Sequence, residues 1–184
     1  MRKEFFKMFL DVLKTATKPP HQVIHVEGNT IDATDSRRAL RVILEDKPCE
    51  PGDYKIAKVG NDYQVIPVDN PGRFPDITRA MGYGSRPTTV TIELLGTDTA
   101  GKPFRYNPQH IPASFLTIYG HLQRDRDPGV LSWIDYAFLS KVLVMMAEMG
   151  DKITVEYLSH KYPIYLTTMA GADKIEYLIM PIGV

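Results

Sequence analysis

Apolar residues recur with helical spacing near the start of the chain and then alternate with polar ones. Phe5, Phe9 and Val12 fall on one face of a helix predicted from Arg2 to Thr17, which Lys18-Pro19-Pro20 ends. Alternating segments follow at Gln22 to Glu27, Thr30 to Asp35 and Arg38 to Glu45. The pattern predicts one helix followed by a three-stranded meander.

The same order of elements is predicted again near the C-terminus. Asp135 can cap a helix that ends at Gly150. The strands predicted after it are Lys152 to Leu158, Tyr162 to Thr168 and Lys174 to Met180. No sequence identity links the two stretches, so the repeat is one of architecture. We therefore predict an α+β fold with helix-plus-three-strand repeats, in which the helices pack on one face of antiparallel sheets.

The repeats are predicted to span residues of about 1–69 and 130–184 of a single domain, joined by an irregular segment at 70–129. The first repeat also contains a second hairpin, with strands from Tyr54 to Val59 and from Tyr63 to Val68. Four elements are predicted in and just after the joining segment: a strand from Thr88 to Leu95, a loop from Gly96 to Pro108, a short helix from Ala113 to Gln123 and a strand from Leu131 to Ile134.

The last predicted strand is apolar on both of its faces. Ile175, Tyr177 and Ile179 share one face, whereas Leu178, Met180 and Ile182 share the other. One face can join the core. The other must then meet a second domain, a partner chain or a ligand groove, and the alternation alone leaves these three open.

Four lysines of the first predicted helix lie within a sector of roughly 60°, opposite the apolar face, at about 100° per residue. They are Lys3, Lys7, Lys14 and Lys18. The chain carries 22 basic and 22 acidic residues, so no global field attracts nucleic acid or a membrane. The lysine face has two interpretations, a solvated surface or a local contact with nucleic acid.

Cysteine usage and hydropathy predict a cytoplasmic protein. Cys49 is the single cysteine, which excludes an internal disulfide. Charged residues interrupt the apolar run at the N-terminus, so we expect no signal peptide. No apolar run approaches the roughly 20 residues of a membrane-spanning helix.

No arrangement of residues predicts catalysis, a metal site or a cofactor. His21 and His25 would lie about 13 Å apart along one strand, too far to share a metal. Phosphate-binding loops and nucleophile motifs are missing from the sequence. An enzyme that uses His or Asp residues near the loop from Arg73 to Tyr83 is the weakest of the hypotheses that remain.

Three short stretches carry a resemblance to one family. Ala33-Thr-Asp-Ser-Arg-Arg-Ala-Leu40 resembles the Ala-Thr-Asp-Gly-His-Arg-Leu-Ala turn of the bacterial DNA polymerase III sliding clamp, the beta subunit. Gly72-Arg-Phe-Pro-Asp76, with Arg79, resembles that family's Gly-Arg-Phe-Pro-Asp-Tyr-Arg-Arg link. Tyr177-Leu-Ile-Met-Pro181 resembles its C-terminal Tyr-Val-Val-Met-Pro.

The resemblance implies a DNA-clamp-like fold with a hydrophobic groove, which in the family receives short linear motifs of polymerases and of other replication and repair proteins. By matching position the groove would use Thr34, Arg38, Pro75, Arg79, Leu178, Met180 and Pro181. This chain departs from the family at Ser36, Arg37, Ala39, Gly183 and Val184, which bears on partner preference.

The resemblance also implies double-stranded DNA as a partner, because a clamp would turn the lysine face toward phosphates without reading sequence. A family subunit has three domains and closes a ring as a dimer. This chain has room for little more than one such domain, so a ring would need several copies.

The leading hypothesis is a sliding-clamp-like binding module, a DNA polymerase accessory or processivity factor that docks peptide motifs. Under this hypothesis the protein is a binding module and not an enzyme. The alternative is a monomeric or dimeric clamp-fold adaptor that mediates protein assembly without encircling DNA.

Overall fold

In the computed structural model the described residues are 1–82, 88–113, 134–157 and 163–181. The helices are α1 (Lys3–Leu13), α2 (Ile77–Met81) and α3 (Tyr136–Met149). The strands are β1 (Ile24–Glu27), β2 (Thr30–Thr34), β3 (Arg38–Ile43), β4 (Gly52–Val59), β5 (Asp62–Pro67), β6 (Thr88–Glu93), β7 (Leu95–Thr97), β8 (Pro103–Arg105), β9 (Lys152–Tyr157), β10 (Ile164–Ala170) and β11 (Asp173–Ile179). The predicted α+β class and both helix-plus-three-strand series are confirmed.

The chain divides into two compact units. The first comprises Met1–Tyr83 and Ala172–Leu178, and the second comprises Gly84–Gly171 and Ile179–Val184. Most of β11, the last strand of the second series, therefore belongs to the first unit. The single domain with two repeats stays a prediction.

In the first unit the strands follow the order β5-β4-β1-β2-β3-β11. The β1–β2, β2–β3, β1–β4 and β4–β5 pairs are antiparallel. Helix α1 packs against β2, β3 and β5. In the register Val26 lies opposite Ile31, which lies opposite Val42, and these buried residues face α1. Because side chains alternate along a strand, the neighbouring residues His25, Asp32 and Arg41 share the other face.

Helix α1 is shorter than predicted. It buries Phe5, Phe9 and Val12 as expected, but it ends at Leu13 rather than at Thr17. Its backbone continues for one tighter turn, in which the N–H of Ala16 donates to the Leu13 carbonyl at 3.1 Å. Lys18 is already extended, with φ −100° and ψ 139°. The cause is Pro19, since a residue that precedes proline avoids the helical region.

In the second unit β6 pairs with β9, which pairs with β10, and α3 packs against β9 and β10. The prediction that Gly96 to Pro108 forms a loop is wrong. Strands β7 and β8 form a hairpin within it, and its turn is closed by Asp98, whose side chain accepts hydrogen bonds from the backbone N–H groups of Ala100 and Lys102. Among its described residues, segment 70–129 contains the predicted strand as β6, and it also contains α2, β7 and β8, which the sequence did not predict.

Helix α3 is bounded by polar contacts at both ends. The Asp135 carboxylate accepts hydrogen bonds from the N–H groups of Ala137 at 2.9 Å and Phe138 at 3.3 Å, as a capping residue does. At the other end the Arg105 guanidinium donates to the carbonyls of Ala147 and Gly150, each at 2.6 Å. A cation suits a helix C-terminus because the last carbonyls point outward there.

The expected core face of the last strand is confirmed, since Ile175, Tyr177 and Ile179 are at most 1% exposed. Leu178, on the opposite face, is equally buried at 1%. Three predicted parts lie outside the described residues: the strand from Leu131 to Ile134 except its last residue, the helix from Ala113 to Gln123 except its first residue, and the terminal residues 182–184. Among the described helices, none is long and apolar enough to cross a membrane.

Candidate peptide and nucleic-acid sites

The face of the first sheet that points away from α1 carries a row of polar side chains across four strands. The His25 Nδ1 atom lies 2.8 Å from the Asp53 carboxylate. Arg41 binds Asp32 with two parallel hydrogen bonds, from Nε and Nη2, each of 2.8 Å. This two-pronged geometry fixes the arginine in place as well as neutralising it. We call the surface formed by these four residues the open face.

The segment from Gly72 to Met81, which we call the link, is attached to the open face. Phe74 stacks on the His25 ring with centroids 5.0 Å apart. Arg41 Nη2 donates to Thr78 Oγ1 at 3.0 Å. Asp76 caps α2 by accepting from the Arg79 N–H at 3.0 Å. The link therefore has a defined position over the strands, although the sequence predicted only a connection there.

Between the link and the open face lies a cleft of about 550 Å³. Its walls include His25, Asp32, Arg41 and Asp53 from the sheet, and Pro75 from the link. Pro75 is one of the predicted groove residues. Most of the residues that line the cleft are polar, whereas the groove implied by the resemblance is hydrophobic.

A larger pocket of about 850 Å³ opens on the α1 side of the same sheet. Its floor is apolar and includes Phe6, Val26 and Ile31, and Cys49 lies in its wall. None of the binding residues that the sequence singled out lines this pocket.

Thr34 and the turn after β2 are held by local hydrogen bonds. The Thr34 hydroxyl donates to the Arg38 carbonyl at 2.7 Å and accepts from the Ser36 N–H at 3.2 Å. The Asp35 carboxylate accepts from the N–H groups of Arg37 and Arg38. Ser36 has φ +77°, a conformation that few residues other than glycine adopt. Thr34 lies on the same face as Asp32, which is the open face.

Arg38 lies on the opposite face from the other predicted groove residues of the turn and the link. Its guanidinium is 2% exposed and contacts Asp11, Thr15 and Asp35. The bonds measure 2.8 Å to the Asp11 carboxylate, 2.9 Å to the Asp11 carbonyl and 2.7 Å to the Thr15 hydroxyl. We call these four residues the buried ion cluster. Alternation along β3 explains the outcome, because Arg38 is in phase with Leu40 and Val42, which face α1.

The cluster shifts the ionisation of its members. Burial by itself would raise the pKa of Asp35, but hydrogen bonds from Thr15 and from the N–H groups of Arg37 and Arg38, with the charge of Arg38, lower that pKa below its ordinary value. Burial raises the pKa of Tyr177, which lies beside Arg38. The Tyr177 hydroxyl is buried and has no hydrogen-bond partner among the described residues.

The remaining predicted groove residues differ in exposure. Arg79 is exposed and Pro75 is half-buried. Leu178 is on the open-face side of the sheet, because its neighbour Tyr177 lies on the α1 side beside Arg38. Met180, 40% exposed, and Pro181, half-buried, belong to the second unit. The structure thus places Thr34, Pro75 and Leu178 on one face of the first unit and removes Arg38 from it.

The four predicted DNA-contacting lysines are all exposed but do not form one helical stripe. Lys3 pairs with Asp62 at 2.8 Å and donates to the Asn61 carbonyl at 2.9 Å. Lys7 lies on α1 and Lys14 is its C-cap. Lys18 lies beyond the helix, in the segment that Pro19 forces to be extended. The geometric prediction of a single stripe is therefore wrong for Lys18.

His25, Asp32, Arg41, Asp53 and Phe74 were not singled out as a site by the sequence. The signal was present, since the alternation of each strand puts a polar residue out of phase with its apolar neighbours. What the sequence lacked was the register that joins the strands. His21 also lies outside the strand expected for it, in a 3₁₀ helix at Pro19–His21. Among the described residues no three His, Cys, Asp or Glu side chains could hold a metal ion.

No known family model matches the sequence, and no curated protein matches it. Solved structures do match. The DNA polymerase III beta chain of Streptococcus pneumoniae superposes with a TM-score of 0.55 at 13% identity, over 99% of this chain and 63% of that one. A Helicobacter pylori beta clamp bound to a DNA ligase peptide gives a TM-score of 0.55 at 11% identity, over 98% of this chain and 63% of that one.

A sliding clamp of Pseudomonas aeruginosa bound to griselimycin is also similar. Its TM-score is 0.54 at 11% identity, over 100% of this chain and 64% of that one. The fold that the three short stretches implied is thus confirmed over nearly the whole chain. This chain has the fold of the bacterial DNA polymerase III sliding clamp, and it spans about 63% of the length of the clamp chains that it matches.

Proposed function

We propose that the protein is a shortened clamp-fold binding module that docks short peptide motifs of DNA replication or repair proteins and contacts double-stranded DNA through α1. The observation that carries the proposal is the match of 98–100% of the chain to sliding clamps, one of them bound to a DNA ligase peptide. The module binds and does not catalyse. Its cytoplasmic location remains a prediction.

Peptide docking is supported by the placement of Thr34, Pro75 and Leu178 on one face of the first unit. Leu178 is 1% exposed, so a docked apolar side chain would reach it only after the residues that cover it had moved. Such rearrangements on binding are common at regulatory interfaces.

The peptide test uses fluorescence anisotropy with a labelled DNA ligase peptide of the kind that the H. pylori clamp binds. The variant Pro75→Ala/Arg79→Ala should bind more weakly than the wild type. Lys55→Ala/Lys58→Ala, which alters exposed residues of β4, serves as the control and should bind like the wild type. If the wild type binds no such peptide, the docking proposal fails.

DNA contact is supported by the exposure of Lys7 and Lys14 on the side of α1 that faces away from the sheet. Binding to a labelled duplex would be measured at several KCl concentrations, because each phosphate contact contributes about 0.9 to the slope of log K against log salt. Lys7→Ala/Lys14→Ala should lower that slope by about 2. An unchanged slope, with DNA binding retained, would remove α1 from the proposal.

The second candidate is a clamp-fold adaptor that assembles proteins without DNA. It is favoured by the pairing of Lys3 with Asp62 and by the balance of 22 basic and 22 acidic residues. Light scattering separates the two candidates in part, since a ring of such short chains would need several copies. A monomer or dimer that binds peptides but does not bind the duplex at low salt would identify the adaptor.

A further inference from the structure

Three segments of the first unit meet beside Ser36. The Ser36 hydroxyl lies 2.9 Å from the His21 Nδ1 atom. Pro20, one residue before His21, lies against the start of the link, where a Cβ added to Gly72 would come 3.0 Å from the Pro20 Cγ atom. The turn after β2, the 3₁₀ helix at Pro19–His21 and the beginning of the link are therefore neighbours.

Each of these segments brings a basic side chain. Lys18 precedes the 3₁₀ helix, Arg37 follows Ser36, and Arg73 follows Gly72, and all three are exposed. Together with His21 we call them the basic cluster. Burial, together with the charge of Lys18, lowers the pKa of His21 against the opposing charge of Asp35, so at neutral pH His21 is mainly a neutral hydrogen-bonding group near Lys18.

The nearest acid in the sequence, Asp35, offsets part of this charge, because its carboxylate acts electrostatically on His21. The Asp35 side chain is 1% exposed and is turned inward, where it pairs with Arg38 at 2.9 Å. Asp76 in the link is used to cap α2. The three cations are exposed to solvent next to the segments that carry Thr34 and Pro75, and Arg73 also lines the cleft that contains Asp32 and Asp53.

We propose that the basic cluster of Lys18, His21, Arg37 and Arg73 binds acidic residues that flank the docked motif of a partner peptide. The proposal rests on the proposed peptide-docking function and names the chemistry of the partner. Complementary charge at the rim of an interface selects partners and speeds their association more than it deepens binding. The cluster would thus prefer motifs with Asp or Glu beside them.

A peptide is favoured over DNA by the position of the cluster. Lys18 lies beyond the end of α1, away from the helix that carries Lys7 and Lys14. Arg37 and Arg73 lie on the turn and the link, the two segments that resemble the peptide groove of sliding clamps. A phosphate backbone would have no such relation to the groove segments.

The test uses two versions of the labelled DNA ligase peptide, one flanked at both ends by two Glu residues and one flanked by two Gln residues. The wild type should bind the Glu version about fivefold more tightly at low salt, as expected for a few exposed ion pairs. Arg37→Ala/Arg73→Ala should abolish this preference and leave the affinity for the Gln version unchanged. Lys55→Ala/Lys58→Ala removes the same charge from β4 and should keep the preference.

Two results would overturn the inference without touching the proposed function: equal affinity of the wild type for both peptides, or a preference that survives Arg37→Ala/Arg73→Ala. A loss of duplex binding in that variant, with the peptide preference intact, would assign the cluster to DNA instead. Failure of the wild type to bind either peptide would reject the docking function itself. Circular dichroism of each variant confirms that the fold is retained.

Discussion

Helices α1 and α3 occupy the same place in the two series of elements, yet they are held by different interactions. Helix α1 is tied to its sheet by the buried ion cluster and by the stacking of Phe6 on Tyr63, with ring centroids 5.1 Å apart. Helix α3 buries aliphatic residues such as Leu139 and Val142, and its polar contacts lie at its two ends. Among the described residues of the second unit, no charged side chain is buried.

The solvent-exposed surfaces of α1 and α3 also differ in charge. Lys3, Lys7 and Lys14 are exposed along α1, whereas the exposed charged residues of α3 are Lys141 and Glu148, which balance one another. The three stretches that resemble sliding clamps also lie wholly or partly in the first unit. The first unit therefore carries the helix with the basic surface and most of the residues that resemble sliding clamps.

The largest effect is expected from Arg38→Met. This change leaves Asp11 and Asp35 buried without their cation, which costs about 3–5 kcal/mol in the free energy of unfolding. Urea unfolding of the full chain measures the loss. Arg41→Met is the matched control and should cost less, because the Arg41 side chain is 14% exposed and that of Arg38 is 2% exposed. Equal losses in the two variants would mean that the buried ion cluster under α1 stabilises the fold no more than the Arg41–Asp32 pair on the open face does.

In the second unit the sharpest steric constraint is at Gly150, after α3. A Cβ there would lie 2.1 Å from the Thr168 Oγ1 atom and 2.5 Å from the Met169 carbonyl oxygen. Gly150→Ala should therefore cost about 2–3 kcal/mol, as overpacking does. Adding Thr168→Ala should restore only part of the loss, since the Met169 carbonyl remains. Full restoration would show that the clash is with the hydroxyl alone.

The sequence predicted the elements better than the contacts between them. Helices and strands followed from local periodicity, which is strong for α1 and for β1 to β3. The β7–β8 hairpin was missed because Gly96, Gly101 and Pro103 lower the strand signal. Its stability comes from tertiary contacts instead, such as those of Arg105 with α3.

The predicted site was limited by the same lack of register. Matching to a family could place Thr34 and Arg38 in one groove because they are four residues apart in one turn. It could not show that Arg38 points to α1, which depends on the phase of β3 and on the position of Asp11, 27 residues earlier. The placement of Lys18 depended on where α1 ends, and a helical projection assumes that the helix continues.

Acid should weaken the first unit through Asp35. Its folded pKa lies below the unfolded value of about 3.8, so the unfolded state binds the proton more readily. The stabilisation is present above the unfolded pKa and is lost as the pH falls through the folded pKa. The urea midpoint of the wild type should decrease as the pH is lowered from 7 to 3. The amount by which this midpoint exceeds that of Asp35→Asn should shrink over the same range. A midpoint difference that stays constant with pH would contradict this prediction. The loss of stability at acid pH should be smaller than that caused by Arg38→Met, because the cation remains.

The smallest effects are expected at the helix N-termini, where α1 and α3 differ again. Asp135 caps α3 with its side chain, whereas Arg2, in the same position before α1, makes no capping hydrogen bond. Asp135→Ala should cost about 1 kcal/mol in urea unfolding. Arg2→Ser should instead gain up to about 1 kcal/mol, because it supplies a capping oxygen and gives up the long, partly exposed 3.7 Å pair with Asp173. Arg2→Ser also removes the guanidinium that lies 6.0 Å from the centroid of the Phe5 ring. If Arg2→Ser destabilises the protein, these two contacts of Arg2 contribute more to α1 than a capping oxygen does, and the first unit depends on charge even at its exposed end.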